Sequence, residues 1–232
     1  MVPIIFPIEQ FRSLPKNSIA LSVCIPKNGK FLHSGIVFNE KDNIFFIHLA
    51  TYRSLRKDNL EQMLNNYTHF VYTNFAYLIK TDPHFFKRKS LIAYLQTVFD
   101  KNENTIPYSF LFKNTTFDTN KVVQLGKGEY GLTCSTFVIA VLESHGISLC
   151  LKDSWPERED DKEIREKIIS IYKEDPRVPE EHLAIMESEL SCVRFRPEEV
   201  LCASGKYPIP CEFSEIQECS KKVLNYVNSN SN

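Results

Sequence analysis

Apolar positions along the chain divide it into a strand-rich first third and a helix-rich remainder. Ile19-Ala-Leu-Ser-Val-Cys-Ile25 reads as a strand, the turn residues Pro26-Lys-Asn-Gly29 follow, and two further strands are predicted over 31–38 and 44–50. Over 53–66 the period lengthens, because Leu55, Leu60, Met63 and Leu64 recur at spacings of three to five and predict a helix. Residues 69–80, rich in Phe, Tyr, Val and Ile, predict another strand. Pro83 opens a helix that runs through Phe99, with Phe86, Leu91, Tyr94, Leu95 and Val98 as its buried stripe. Phe137, Val138, Val141 and Leu142 carry the pattern of a helix that starts at Cys134 and ends near Gly146.

From Lys152 to Glu189 the chain is strongly charged, and two helices are predicted over 158–173 and 180–190, separated by Asp175-Pro-Arg-Val-Pro179. This segment reads as an appended helical lobe, with Ile168, Ile169, Leu183 and Ile185 available to pack against the sheet. A strand at Cys192-Val-Arg-Phe195 and a turn or short helix at Pro197-Glu-Glu-Val-Leu-Cys202 return the chain to the core. The polar tail 228–232 has nothing to bury. The expected fold class is α+β: an antiparallel sheet packed against the helix that begins at Cys134. One domain spans 1–232, its core over about 15–150 and 191–212 and its insertion over about 152–190.

Composition narrows the function. At 232 residues, 43% hydrophobic and 25% charged, the chain can bury a substantial core. Its 28 basic residues are matched by 29 acidic ones, so no overall charge draws it to nucleic acid or to an anionic membrane. The short basic run Lys87-Arg-Lys89 reads as a solvated helix face. Seven cysteines are an odd number, which argues against a complete disulfide framework and predicts a reducing, cytoplasmic setting. The first residues show neither a basic leader nor a long apolar run, so no secretory signal or stable membrane insertion is predicted, and delivery by a specialised secretion route stays open. No Cys-x2-Cys pair occurs, and no metal or cofactor is expected.

The candidate chemistry lies in Gly131-Leu-Thr-Cys-Ser-Thr-Phe-Val138. A thiol at a helix N-terminus meets the positive end of the macrodipole, which favours thiolate, and an imidazole within reach would complete a nucleophile-base pair. His33 and His48 lie on an upstream hairpin. If Asn39-Glu-Lys-Asp42 is a four-residue loop, Phe38 faces Asn43 and His33 stands directly opposite His48, with Cβ atoms about 4.5–5.5 Å apart. A one-residue slip would send the two imidazoles to opposite faces. Gly35 leaves room above the strand for close approach by a helix N-terminus or a substrate backbone, or else marks a bulge. The other cysteines lack a comparable setting, and His69, His84, His145 and His182 read as structural.

His33-Ser-Gly-Ile-Val37, Ile47-His-Leu-Ala50 and a cysteine opening a helix together resemble the NlpC-like papain-fold cysteine hydrolase superfamily in its circularly permuted form, related to lecithin:retinol acyltransferase-like enzymes. In papain and ordinary NlpC-type peptidases the cysteine precedes the histidine, whereas here His33 precedes Cys134. The resemblance covers residues 15–150. It implies a permuted papain-like fold, with Cys134 as nucleophile, His33 as general base and acid, His48 as the polar residue that orients His33, and Tyr108 of Ile106-Pro-Tyr108 lining the site. The implied activity is that of a thiol amidase or peptidase acting through an acyl-enzyme on a peptide, protein or other amide. Thr133 stands where many NlpC-type enzymes carry aspartate, and the charged lobe has no counterpart in their motifs. Two other classes remain open: a lipid-directed acyltransferase or phospholipase of the lecithin:retinol type, which here lacks the Asn-Cys-Glu setting, and a non-catalytic binding module on the same scaffold.

Overall fold

The computed structural model of the chain describes residues 6–13, 15–27, 31–128, 130–189 and 192–229. The strands are β1 (Phe6–Pro7), β2 (Ile19–Pro26), β3 (His33–Glu40), β4 (Asn43–Thr51), β5 (Ser54–Asn59), β6 (Tyr67–Asn74) and a minor pair, β7 (Thr116–Phe117) and β8 (Val123–Gln124). The helices are α1 (Leu60–Asn66), α2 (Ala76–Thr81), α3 (Phe86–Asn102), α4 (Cys134–Ser144), α5 (Glu159–Lys173), α6 (Glu180–Ser188), α7 (Pro197–Ser204) and α8 (Gln217–Ser229). Strands β1–β6 form one antiparallel sheet in the order β1-β6-β2-β3-β4-β5, so the fold is α+β.

Strands β2 and β3 sit in the middle of the sheet and are buried on both faces, so β2 is almost continuously apolar, while β3 combines Ile36-Val-Phe38 with the buried polar residues His33, Ser34 and Asn39. One face carries Leu21, Val23, Ile36, Phe38, Ile47 and Leu49 into the main core, where they meet α4. In α4 the whole run Phe137-Val-Ile-Ala-Val-Leu142 is buried, so this helix is apolar all round and is held on every side by protein. The other face carries Ala20, Val37, Phe46 and Tyr72 onto Phe11, Met63 and Phe70.

The hairpin β3–β4 departs from the expected register by two residues. Phe38 pairs with Phe45 and Glu40 with Asn43, so only Lys41 and Asp42 turn. Both have positive φ, 51° and 70°, as a two-residue turn that matches strand twist requires. Asn39 stays in the strand because its N–H donates to Ser18 O at 2.9 Å and its carbonyl accepts from Asn17 N at 2.8 Å. A shift of two preserves side-chain parity, so His33 and His48 still share a face, placed diagonally instead of directly across. Continuing the register puts His48 opposite Gly35. A Cβ on Gly35 would lie 2.6 Å from His48 Cβ and from the Ile47 carbonyl oxygen, so the missing side chain makes way for His48 and not for a helix or a substrate.

Three other expectations change, and one further helix appears. The helix predicted over 53–66 is strand β5 followed by α1, because 54–59 pairs with β4 and the Asn59–Gln62 capping box starts the helix only at Leu60. The strand expected over 69–80 is β6 from Tyr67, then α2. Residues 192–196 form no strand, since Arg194 and Arg196 are drawn to Asp161 of α5 at 3.3 and 2.9 Å. Helix α8 carries an unread signal, the spacing of four between Cys219, Val223 and Val227, all buried. Of the expected turn 26–29, residues 28 and 29 lie outside the described residues, as do the end of the helix expected to reach 190 and the last three residues of the tail.

Cys202 and Cys219 form a disulfide that joins α7 to α8, and five cysteines are free. One bond among seven cysteines is no complete framework, yet it departs from the expectation of thiols kept wholly reduced. The lobe has its own small core, in which Ile168, Ile169, Tyr172, Val178 and Met186 pack on Tyr52 and Phe110. It is tied to the body by Asp161, which is fully buried and bonds Arg158, Arg194 and Arg196, and by Glu199 of α7, which takes Arg158 and the Trp155 Nε1–H.

Gly35→Ala is expected to lower unfolding free energy by about 2 kcal/mol or more, since the new methyl meets the Ile47 carbonyl oxygen and His48 Cβ, which cannot swing away, as well as the buried Phe46 ring. Urea denaturation checks it, and an unfolding midpoint unchanged from that of the native protein would contradict it.

Candidate active site

Helix α4 begins where the backbone of 131–133 is clamped. Leu132 N–H donates to Pro107 O at 3.0 Å and Ser109 N–H to Leu132 O at 3.3 Å. Gly131 allows this approach, because a Cβ there would lie 2.1 Å from Pro107 O. Thr133 is the N-cap: its hydroxyl accepts from Thr136 N–H at 3.1 Å, and Thr136 Oγ1 accepts from Thr133 N–H at 2.7 Å. The cap satisfies the third residue of the helix. The Cys134 and Ser135 N–H groups remain first-turn donors with no carbonyl of the helix behind them. Ser135 Oγ lies 3.2 Å from Ser34 Oγ, which fastens the helix start to β3 beside His33.

Cys134 lies beside His33 and Ser34, and the charge and side chain of His33 and the donors of Ser34 act on its sulfur. Behind His33 the contacts continue inward. His33 Nε2 is 2.7 Å from His48 Nδ1, His48 Nε2 is 3.3 Å from Asp58 Oδ2, and Asp58 Oδ1 receives Arg56 Nη2 at 3.0 Å. The Tyr67 hydroxyl oxygen is 3.2 Å from His48 Nε2. Phe46 stacks on the His48 ring at 4.5 Å, and Tyr67 meets it edge-on at 5.6 Å. His48 is completely buried and Asp58 nearly so, whereas Cys134 and His33 keep the last exposure on the cleft side, 8% each.

Electrostatics assigns the protons. Burial pushes His48 down to about 3, which outweighs its hydrogen bond to Asp58, so the ring is neutral across the working pH range. Burial alone would raise Asp58, but the His48 hydrogen bond and Arg56 bring it below the usual carboxylate range, so it is ionised. A carboxylate only accepts, so His48 Nε2 carries the hydrogen and donates to Asp58. Nδ1 of His48 is then the acceptor for His33 Nε2–H, which leaves His33 Nδ1 for the Cys134 sulfur.

Burial would raise the Cys134 thiol as well, yet the charge and hydrogen bond of His33, with the Ser34 donors, bring it down to about 6. The other free thiols move the opposite way. Burial raises Cys24 and Cys150, and lifts Cys192 and Cys211 to about 11. One cysteine of the five is thus set apart as a thiolate near neutrality.

A cleft of about 830 Å³ opens over Cys134, between the start of β3 and α5 of the lobe. Tyr108 lines it, with its ring 5.1 Å from Tyr172 of α5. Burial raises both phenols, with the Cys134 charge adding to the effect, so both hydroxyls stay protonated. Tyr108 is held from behind by two lobe residues: its carbonyl accepts from His182 Nε2 at 2.6 Å, and buried Glu189 accepts from Ser109 Oγ and from Phe110 N–H, all at 2.8 Å. Among the described residues no three His, Cys, Asp or Glu side chains gather as a metal site.

The structure brings Cys134, His33, His48 and Tyr108 to one place. Asp58, Tyr67 and Ser34 join them without having been singled out in the sequence. The signal for Asp58 was strand alternation: it pairs with Phe46, diagonal to His48 and on the same face, and the helix assigned over 53–66 hid that parity. Comparison with known protein families, with curated proteins and with solved structures finds no match to this chain. No helix among the described residues is long and apolar enough to cross a membrane.

The thiolate fraction of Cys134 grows as pH rises through about 6, so its alkylation rate is expected to reach a plateau near pH 7, two or more units before Cys192 or Cys211 responds. Peptide mapping after timed iodoacetamide treatment reads this, and His33→Ala is expected to remove the low-pH limb. His48 adds a stability slope. Its folded value is depressed below the ordinary 6.5, so its contribution is complete above that pH and is lost as pH falls toward 3, at up to about 1.4 kcal/mol per pH unit. Urea midpoints of the native protein between pH 7 and 4 should fall more steeply than those of His48→Gln.

Proposed function

We propose that the chain is a cysteine hydrolase of the amidase or peptidase type, built on a circularly permuted papain-like scaffold of the NlpC kind. The observation that carries the reading is the lowered thiol of Cys134 at a helix N-terminus, in contact with an imidazole that a second, neutral imidazole holds in one tautomer. The order of histidine hairpin before cysteine helix, with the sheet packed on that helix, supports the permuted arrangement. A cleft over the sulfur supports catalysis over a purely binding role.

In this mechanism the Cys134 sulfur attacks the substrate carbonyl carbon, and the carbonyl π electrons move onto oxygen. The Cys134 and Ser135 N–H groups at the helix start face the developing oxyanion. The tetrahedral species collapses by breaking the bond to the leaving nitrogen, which takes the proton from His33 Nδ1. This leaves a thioester on Cys134. Neutral His33 then accepts a proton from water at the same nitrogen, the hydroxide attacks the thioester, and the thiolate departs to restore the thiolate-imidazolium pair. Throughout, His48 donates to Asp58 and accepts from His33, so the base cannot turn away or change tautomer.

Incubation with a p-nitrophenyl ester followed by intact mass measurement is expected to show one acyl adduct, located on Cys134 and absent in Cys134→Ala. His33→Ala should slow its formation by about 10²–10⁴-fold. Asp58→Asn should slow it by about 10–100-fold, the scale of losing an outer partner that fixes the orientation of a histidine without touching the reacting atoms. Acylation spread evenly over several residues would contradict the assignment.

A further inference from the structure

The α5 wall of the cleft shows what kind of acyl group the site accommodates. Three charged side chains reach the cleft, and each has a partner. Lys167 Nζ lies 2.6 Å from Glu163 Oε1, Asp175 Oδ2 lies 2.5 Å from Arg177 Nη2, and Arg194 Nη1 lies 3.3 Å from Asp161 Oδ1. Of these, the Arg194–Asp161 pair is buried and costly to break, whereas the Lys167–Glu163 and Asp175–Arg177 pairs sit at the solvent-exposed mouth of the cleft, so a charged group placed deeper, beside Cys134, would lose water without a free partner. The rest of the lining is mostly apolar, with Phe31, Leu32 and Ile171 at the surface of the cleft and Ile168, Tyr172 and Phe195 as edges of the buried cores, beside the hydroxyl residues Thr51 and Ser170.

Ile171 is the telling residue. Its helix neighbours Ile168, Ile169 and Tyr172 serve the core of the lobe, whereas Ile171 belongs to none of the buried clusters, is 57% exposed and still lines the cleft. Core packing gives no reason for an isoleucine there, and an apolar substrate would.

We propose that the acyl group received by Cys134 carries an uncharged apolar side, aliphatic or aromatic, seated between Phe31 and Leu32 on the β3 side and Ile168 and Ile171 on the lobe. The inference rests on the hydrolase reading and adds the substrate class to it. The lobe, absent from the motifs of the family that the core resembles, is on this view the specificity element of the enzyme.

Two iodoacetamides of matched length separate the possibilities: N-hexyl iodoacetamide and N-(5-carboxypentyl) iodoacetamide. Plain iodoacetamide is the reference, and every rate is divided by that of glutathione with the same reagent. At Cys134 the hexyl reagent is expected to react at least about tenfold faster than the carboxylated one, the scale of burying a few methylenes. Ile171→Asp, a change at an exposed position, should bring that ratio to within about threefold of unity, and Ile171→Lys should favour the carboxylated reagent. Equal rates with both reagents at a Cys134 that still reacts rapidly would overturn the apolar class and leave the nucleophile pair standing. A preference untouched by either Ile171 variant would overturn its placement against the lobe. A Cys134 silent toward all three reagents would overturn the hydrolase reading and this inference with it.

Discussion

His48 has no access to water, and its neutrality is the constraint on which the site depends. A charged imidazole in that position would face the desolvation that already holds its protonation down to about pH 3. Kept neutral, the ring has one donor and one acceptor, and the Asp58 carboxylate at 3.3 Å takes the donor. The acceptor is then committed to His33. One buried acid thus decides, through two rings, which nitrogen of His33 meets the sulfur, and the sulfur accordingly titrates near 6 while the four other free cysteines are pushed upward. Breaking the chain at Asp58 would leave an imidazole free to adopt either tautomer, a loss of order with no loss of packing volume.

The fold supplies this arrangement with few devices. A two-residue turn sets the β3–β4 register, Gly35 makes way for His48, and Phe46 and Tyr67 enclose the ring. On the opposite side of the sheet, α4 is apolar and buried from Phe137 to Leu142, so its burial fixes the direction from which Cys134 arrives. The Thr133–Thr136 cap and the Ser34–Ser135 contact then hold the helix start against the strand that carries His33. The lobe contributes from outside, through His182 and Glu189 behind Tyr108 and through the α5 wall of the cleft, and the Asp161 cluster locks it in place.

Much of this was legible because it rests on local periodicity. Strands β2, β3 and β4, the body of helix α3 and the start of α4 at Cys134 follow from apolar spacing, although α3 begins at Phe86 rather than at Pro83 and leaves Phe86 exposed instead of in its buried stripe; the pairing of His33 with His48 survives a register error because parity depends only on whether the shift is even. What escaped depends on longer-range competition. The stretch 53–66 has helical spacing throughout, but its first half gains ladder hydrogen bonds from β4, and those outweigh local preference. That misassignment concealed Asp58, and Tyr67 was hidden by a strand begun two residues late. The cleft itself was beyond reach, since nothing local in Glu159–Lys173 says which face turns toward the sulfur of Cys134 far earlier in the chain.

Histidine ¹⁵N chemical shifts, followed from pH 8 to pH 4 in the native protein and in Asp58→Asn, test the central claim most directly. The account predicts that His48 stays neutral over this range with its proton on Nε2, and that Asp58→Asn abolishes this single tautomer and with it the preferential reactivity of Cys134. A His48 ring that takes up a proton near its ordinary pH of about 6.5, or a tautomer indifferent to the loss of the Asp58 charge, would contradict it.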